Sequence, residues 1–317
     1  MNSYVLITPT RDEEDYIERT IQAVITQTVR PVRWVIVSDG SVDRTEEIVE
    51  GYTARHDFIQ LVRRAADPKR NFGSKVRAFN LGYHQVEELE FDFIGNLDAD
   101  LSFEPTYYEG ILGRFRDNER LGVAGGTRFD LRGGRFERMN TARTSVAGAF
   151  QLFRRQCFEQ IGGYRPLPYG GIDAVAETMA RMHGWQVESF PEFPVYHYRP
   201  TGTATSSLIK CNLRKGIQHY VIGYHPLFHL ASCAFRMRNY PPVIGALSNL
   251  AGYSWAAVRR YEKAVPDDVV RYLRREQLGR LRSLLKSGRD PALRNDLGNR
   301  LQPTAVLNAS AADQPKG

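Results

Sequence analysis

A chain of 317 residues, 42% hydrophobic and 25% charged, can bury a large core, which excludes a fibrous, low-complexity or chiefly disordered polypeptide. Its three scattered cysteines, Cys157, Cys211 and Cys233, exclude a disulfide framework and a cysteine-based zinc site and suit a reducing compartment. A net charge of +7 favours an anionic partner, which nucleic acid, a membrane surface or a phosphorylated substrate would all satisfy.

The start, MNSYVLITPTRDEED, has no charged leader followed by an apolar segment, so the expected location is cytoplasmic. Residues 4–8 (YVLIT) form an apolar run ended by Pro9, the pattern of a buried strand. Ile17, Ile21, Val24 and Ile25 then mark one face of a helix, with the acidic run Asp12 to Asp15 expected to open it. Residues 34–37 (WVIV) repeat the strand pattern and stop at the turn Ser38-Asp39-Gly40-Ser41, ahead of a helix carrying Ile48, Val49 and Tyr52.

The alternation continues with strands at 59–62, 91–97 and 122–127 and helices around 76–83 and 107–115. Strands alternating with helices predict an α/β fold, a mostly parallel sheet covered on both faces. Ligands of such sheets lie beyond the carboxyl ends of the strands, at Thr10-Arg11-Asp12, Asp39-Gly40-Ser41 and Asp98-Ala99-Asp100.

From about residue 205 the pattern becomes helical. Residues 239–258 carry no charge but contain Pro241, Pro242, Gly245 and Gly252, which suits a surface-lying or buried hairpin better than a spanning helix. Beyond Pro266, Val270, Leu273, Leu281, Leu284 and Leu285 share one face of a helix that carries Arg271, Arg275, Arg282 and Lys286 along a neighbouring stripe. The expected organisation is an α/β domain at 1–204, in two halves that meet at about 127, then a helical extension at 205–302 and a disordered tail at 303–317.

Asp98 and Asp100, two residues apart at the end of a strand, would project from one face, and their mutual repulsion is relieved by a cation such as Mg²⁺ or Mn²⁺. The chain has neither G-x-x-x-x-G-K-[ST] nor G-x-G-x-x-G, so a bound diphosphate would need metal and side-chain cations.

The segments ITPTRDEEDYIERTIQAVITQT, WVIVSDGSVDRTEEIV, GSKVRAFNLGYHQV and IGNLDADLSFEPTYY resemble, in order and spacing, the N-terminal motifs of family 2 glycosyltransferases of the GT-A fold, over roughly residues 4–200. The resemblance implies an inverting transfer of sugar from a nucleotide-diphosphate donor to an acceptor hydroxyl. Thr8, Pro9, Thr10, Arg11 and Glu13 would line the nucleotide pocket, and Asp39 would accept a hydrogen bond from a base imide N–H. Asp98 would contact ribose or a metal-bound water and Asp100 would ligate the metal. Gly170-Gly171-Ile172-Asp173 resembles the acceptor-site motif, making Asp173 the general base. Ile172 replaces the usual Glu, with Glu177 as a substitute one turn later. His197, in PVYHYRPTG, would be a second metal ligand, with Lys75 and Arg199 offering charge to the phosphates. His219, His225 and His229 show no ligand pattern.

Other readings of single residues stay open: Asp39 suits a turn or cap, and Asp173 a first-turn position whose helix dipole would lower its pKa. The basic helix beyond Pro266 suits either a protein core or an anionic membrane surface, with a lipid-linked acceptor and a peripheral position on the inner face of the cell membrane in the second case. A sugar-1-phosphate nucleotidyltransferase would need a Gly-rich N-terminal loop with Arg and Lys, which the sequence lacks. A non-enzymatic nucleic-acid-binding protein is disfavoured by carboxylates at the strand ends and the lack of a recognition module.

Overall fold

The computed structural model describes residues 3–65, 73–139, 142–199, 208–235, 237 and 243–287. The elements run β1 (Tyr4–Thr10), α1 (Ile17–Ile25), β2 (Arg33–Asp39), α2 (Thr45–Thr53), β3 (Ile59–Arg64), α3 (Gly73–His84), β4 (Phe93–Asn96), β5 (Leu101–Phe103) and α4 (Tyr107–Asp117). They continue with β6 (Leu121–Arg132), β7 (Arg135–Arg138), β8 (Leu152–Arg154), α5 (Arg155–Gln160), α6 (Ile172–Met182) and β9 (Gln186–His197). Four helices follow: α7 (Leu208–Ile222), α8 (Pro226–Phe235), α9 (Ile244–Val258) and α10 (Asp267–Ser287).

One sheet holds the strands in the order β3-β2-β1-β4-β8-β6-β9-β5, with β7 paired to β6. Its first four strands are parallel, β8 is antiparallel to both β4 and β6, β6 and β9 are parallel, and β5 reverses again. The expected α/β sheet is therefore present but mixed. The three reversed strands, β5, β7 and β8, are 3 or 4 residues long and too short to show a period in the sequence. All the longer strands still point one way, so β1, β2, β4, β6 and β9 end on one edge.

β1 and β2 carry uninterrupted apolar runs because helices cover both faces of the sheet there. Tyr4 and Trp34 are fully buried; the Tyr4 hydroxyl donates to Val29 O at 2.7 Å and its ring stacks on Tyr108. The acidic run ahead of α1 does not open that helix. It ties the β1 loop to the β2 loop: Asp12 accepts from the Val42 N–H at 2.9 Å, Glu14 from the Arg44 N–H at 3.1 Å, and the Glu13 N–H donates to Thr45.

The helical extension shares the main core through Tyr224, Phe228, Val269, Val270 and Leu273. α10 turns its apolar stripe inward onto this core, and its Arg271, Arg275 and Arg282 are exposed. Leu273 is thus covered by protein and Leu281 partly so, and over these residues the apolar stripe faces the core and not a membrane. The side chains of Leu285 and Lys286, the start of the charge-free run at 239–242 and the tail at 303–317 lie outside the described residues. Among the described residues no helix is long and apolar enough to cross a membrane.

α7 and α9 cross at backbone contact: a Cβ on Gly216 would strike Asn249 O, and one on Gly252 would strike Leu213 O. Gly252→Ala must push the helices apart, so we expect a loss of about 1–3 kcal/mol in thermal or urea unfolding; an unchanged transition would mean that this contact is not closed in solution.

Candidate active site

The centre of the site follows from strand register. β9 lies between β6 and β5, with His197 opposite Asp130 in the parallel ladder and opposite Leu101 in the antiparallel one. Cross-strand neighbours share a face. His197 Nδ1 is accordingly 3.1 Å from Asp130 Oδ1 and Nε2 is 3.3 Å from Asp100 Oδ2, all three residues being buried. Burial alone would depress the imidazole, but hydrogen bonds to Asp100 and Asp130 outweigh it and hold the pKa up to about 9. Arg128, also buried, reaches Asp130 at 3.0 Å.

Asp98 and Asp100 depart from the expected side-by-side arrangement. β4 stops at Asn96, so both occupy the turn leading to β5 rather than a strand. Asp98 faces α3, where its Oδ1 accepts from Lys75 Nζ at 2.5 Å, while Asp100 turns to His197.

A divalent ion fits the second of these pairs. Cis ligands on an octahedral ion at about 2.1 Å lie about 3 Å apart, near the 3.3 Å between Asp100 and His197. The Asp130 carboxylate on Nδ1 is the support that a metal-bound histidine ordinarily has. Among the described residues no three His, Cys, Asp or Glu side chains converge on one point, and Asp100 and His197 are the pair that they offer to an ion. That suits Mg²⁺ or Mn²⁺, which fill remaining positions with water and phosphate oxygens.

Asp173 opens α6 after two glycines with positive φ, Gly170 and Gly171. Its carboxylate packs on the backbone of Gly148, where a Cβ would lie 2.8 Å from Oδ2, so only glycine admits it. Burial raises the Asp173 pKa; hydrogen bonds from backbone N–H groups and the charge of Lys75 oppose the rise. The net direction is upward, contrary to the dipole-lowered value expected of a first-turn Asp. The residue keeps an accessible edge.

On the side where the nucleotide pocket is expected, Thr10 Oγ1 and Arg11 Nε and Nη1 are buried without a hydrogen-bond partner among the described residues. Pro9 is partly buried beside them. Thr8 differs from expectation: its hydroxyl accepts the Trp34 indole N–H at 2.9 Å inside the core and does not line the pocket. Asp39 is buried, one oxygen accepting from Arg64 at 2.5 Å. Glu13 is held by Arg199 at 2.8 Å. Burial pushes its carboxyl up to about 8; Arg199 pulls it back, and Asp100, Asp98 and Asp43 push it up again. That crowding of carboxylates is a second reason for a cation here. Among the other histidines, His219 and His229 pair with each other, Nδ1 to Nδ1 at 3.3 Å, inside the helical extension.

The sequence pattern of glycosyl transferase family 2 matches residues 5–168, more than half of the chain. The chain belongs to glycosyl transferase family 2. Among curated proteins it is 23% identical over 198 residues to a poly-beta-1,6-N-acetyl-D-glucosamine synthase of Staphylococcus epidermidis, covering 56% of this chain and 44% of that one. With a synthase of the same name from Staphylococcus aureus it shares 24% identity over 206 residues, 57% of this chain and 46% of the other. The chain thus spans less than half the length of these relatives. Two solved structures share its fold: a mannosyltransferase from Pyrobaculum calidifontis in complex with GDP-Man and Mn²⁺ (TM-score 0.53, 16% identity, 94% of this chain and 84% of that one), and S. aureus TarS 1–349 in complex with UDP-GlcNAc (0.53, 16%, 94% and 89%).

Within this family 2 chain, Ile172 is partly buried against the core, and Glu177 does not stand in for the missing Glu. Glu177 is fully buried and accepts from the Val146 N–H at 2.7 Å, Gln151 Nε2 at 3.1 Å and Ser145 Oγ at 3.2 Å. It clamps the segment that carries Gly148 to Asp173. Burial raises its pKa to about 7, against the charge of Arg181. Asp130, Arg128 and Gly148 are the site residues that sequence reasoning missed; the run GTRFDLR, which continues an expected strand, held the first two in view without a motif to mark them.

Glu177→Ala would leave the buried Val146 N–H unpaired and take one acceptor from the Gln151 amide, for which we expect a loss of about 1–3 kcal/mol. A urea midpoint equal to that of the unaltered chain would show that the clamp contributes nothing.

Proposed function

We propose that this chain moves a glycosyl group from a UDP- or GDP-sugar to an acceptor hydroxyl with inversion at the anomeric carbon, in the building of a cell-surface polysaccharide or glycolipid. The observation that carries this reading is a half-buried aspartate packed on Gly148, Asp173, on the same sheet edge as the Asp100–His197 pair and the Lys75–Asp98 pair. The relatives named above are poly-beta-1,6-N-acetyl-D-glucosamine synthases or were solved with UDP-GlcNAc or GDP-Man, and uracil and guanine would each offer a ring N–H to Asp39.

In the reaction Asp173 takes the acceptor's hydroxyl proton as that oxygen forms its bond to the anomeric carbon, and the bond to the nucleoside diphosphate breaks with its electron pair leaving on the diphosphate. Asp100 and His197 would hold Mn²⁺ or Mg²⁺, whose contribution when bound is Lewis-acid stabilisation of the diphosphate charge. Arg11, with two buried nitrogens that have no hydrogen-bond partner among the described residues, and the buried Arg128 add fixed positive charge at the same edge. Thr10 offers its free hydroxyl to the nucleotide, and Lys75 holds Asp98. The acceptor is read as lipid-linked and the enzyme as peripheral on the inner face of the cell membrane.

Asp173→Asn should cut turnover at least about 100-fold while donor affinity is retained. Because a base works only when deprotonated and burial raises this pKa, the acid limb of kcat should lie above the usual aspartate range near 3.9. Near-normal turnover in Asp173→Asn would remove the assignment.

Asp130→Asn takes away the carboxylate behind His197. Calorimetry on the folded variant should show Mn²⁺ affinity weaker by about 10–100-fold, with Asp100→Ala weaker still; equal affinity in all three proteins would mean that the ion binds elsewhere.

A further inference from the structure

Of the 43 Lys and Arg, seven fall in residues 201–260, and of the 36 Asp and Glu none does. The whole net charge of +7 therefore sits in this stretch, and the remainder of the chain is balanced. Among the described residues the same stretch holds most of the exposed large apolar side chains: eleven of the fifteen belong to residues 209–258 and four to all the rest.

These side chains are ordered by helical period. On α9, Ile244, Leu247, Ala251, Trp255 and Val258 are exposed and recur on one stripe, while Gly245, Asn249, Gly252 and Tyr253 on the opposite side are buried against α7 and α8. On α8, Leu227 and Leu230 are 61% and 52% exposed while Phe228 and His229 are buried. The first turns of α7 expose Ile209 and Leu213 next to the exposed Lys210 and Arg214. Arg259 lies over the Trp255 ring at 4.8 Å, so the apolar stripe of α9 ends in a cation stacked on an aromatic group.

We infer that the outer faces of α8 and α9, with the first turns of α7, rest on an anionic lipid surface, lying in its interface without crossing it. Apolar stripes bordered by Lys and Arg and an interfacial Trp are the composition of helices that lie in a membrane interface. A second copy of the chain is a poor occupant, since it would set one +7 stretch with no acidic residue against another. The basic helix α10, which the sequence offered for this role, is packed against the core. The inference deepens the reading above and rests on it only for the lipid-linked acceptor. Vesicle binding is read without nucleotide sugar, so its failure leaves the transfer reaction untouched.

The test is co-sedimentation of the full chain with vesicles of phosphatidylcholine, with and without phosphatidylglycerol, at low and high salt. We expect binding to the anionic vesicles at low salt that falls at least about 10-fold at high salt or with phosphatidylcholine alone. Trp255 emission should shift to the blue on binding. Leu227→Gln with Leu247→Gln, both at exposed positions, should weaken vesicle binding at least about 10-fold with an unchanged melting temperature. No binding to anionic vesicles at low salt, or equal binding by the double variant, overturns the proposal. So does a lipid-free dimer, seen by sedimentation velocity, that the same two substitutions dissociate.

Discussion

The site depends on how one strand is paired. β9 ends at His197 between a parallel neighbour that presents Asp130 and an antiparallel one that begins directly after Asp100. A slip of one residue in either ladder would turn His197 to the other face and separate it from both carboxylates. Reversing β5 serves the chemistry. Since it enters the sheet at the edge where β4, β6 and β9 end, Asp100 at its start joins the residues at their ends. Reversing β8 does the same for the base: the backbone leading into it runs beside β4, receives the Asp98 N–H on Ala149 O and presents Gly148 to Asp173.

Much of this edge was legible from the sequence, for physical reasons that differ between residues. β1 and β2 are buried on both faces, so their apolar runs stand out, and the polar residues that follow them mark the edge. Asp39, Asp98, Asp100, Asp173 and His197 sit in loops and element ends where their type and spacing are informative. Asp130 and Arg128 were hidden because they lie within β6 and gain meaning only from a strand more than sixty residues later. Thr8 was misassigned because sequence does not reveal that the Trp34 indole claims its hydroxyl. The stripe of α10 was ambiguous for a general reason: protein core and lipid reward the same apolar periodicity.

Electrostatics at the edge are divided among positive charges already in the chain. Asp39 has Arg64, Asp98 has Lys75, Glu13 has Arg199, and Asp130 has both Arg128 and His197. Asp173 is the exception: its nearest help is backbone N–H groups and the more distant charge of Lys75, and burial dominates. The carboxylates that hold structure thus each meet a side-chain cation, whereas the one assigned to proton transfer does not, and burial raises its pKa, the direction expected of a general base.

The helical extension is joined to the residue proposed as that base. Gly171, the residue before α6, lies so close to α7 that a Cβ there would strike the Gln218 amide, and Ile222 packs against the same point. α7 therefore fixes the start of the helix that aims Asp173, while its own first turns carry Ile209 and Leu213 outward. Its contact with α9 through Gly216 and Gly252 is backbone to backbone, which leaves little freedom for one helix to move without the other. A surface that seats α8 and α9 would hold α7 as well, and with it the orientation of Asp173. The exposed apolar stripes and the catalytic edge are in this sense ends of one rigid connection, and an acceptor presented from a lipid surface would meet the base in an orientation set by the same helices that rest on that surface.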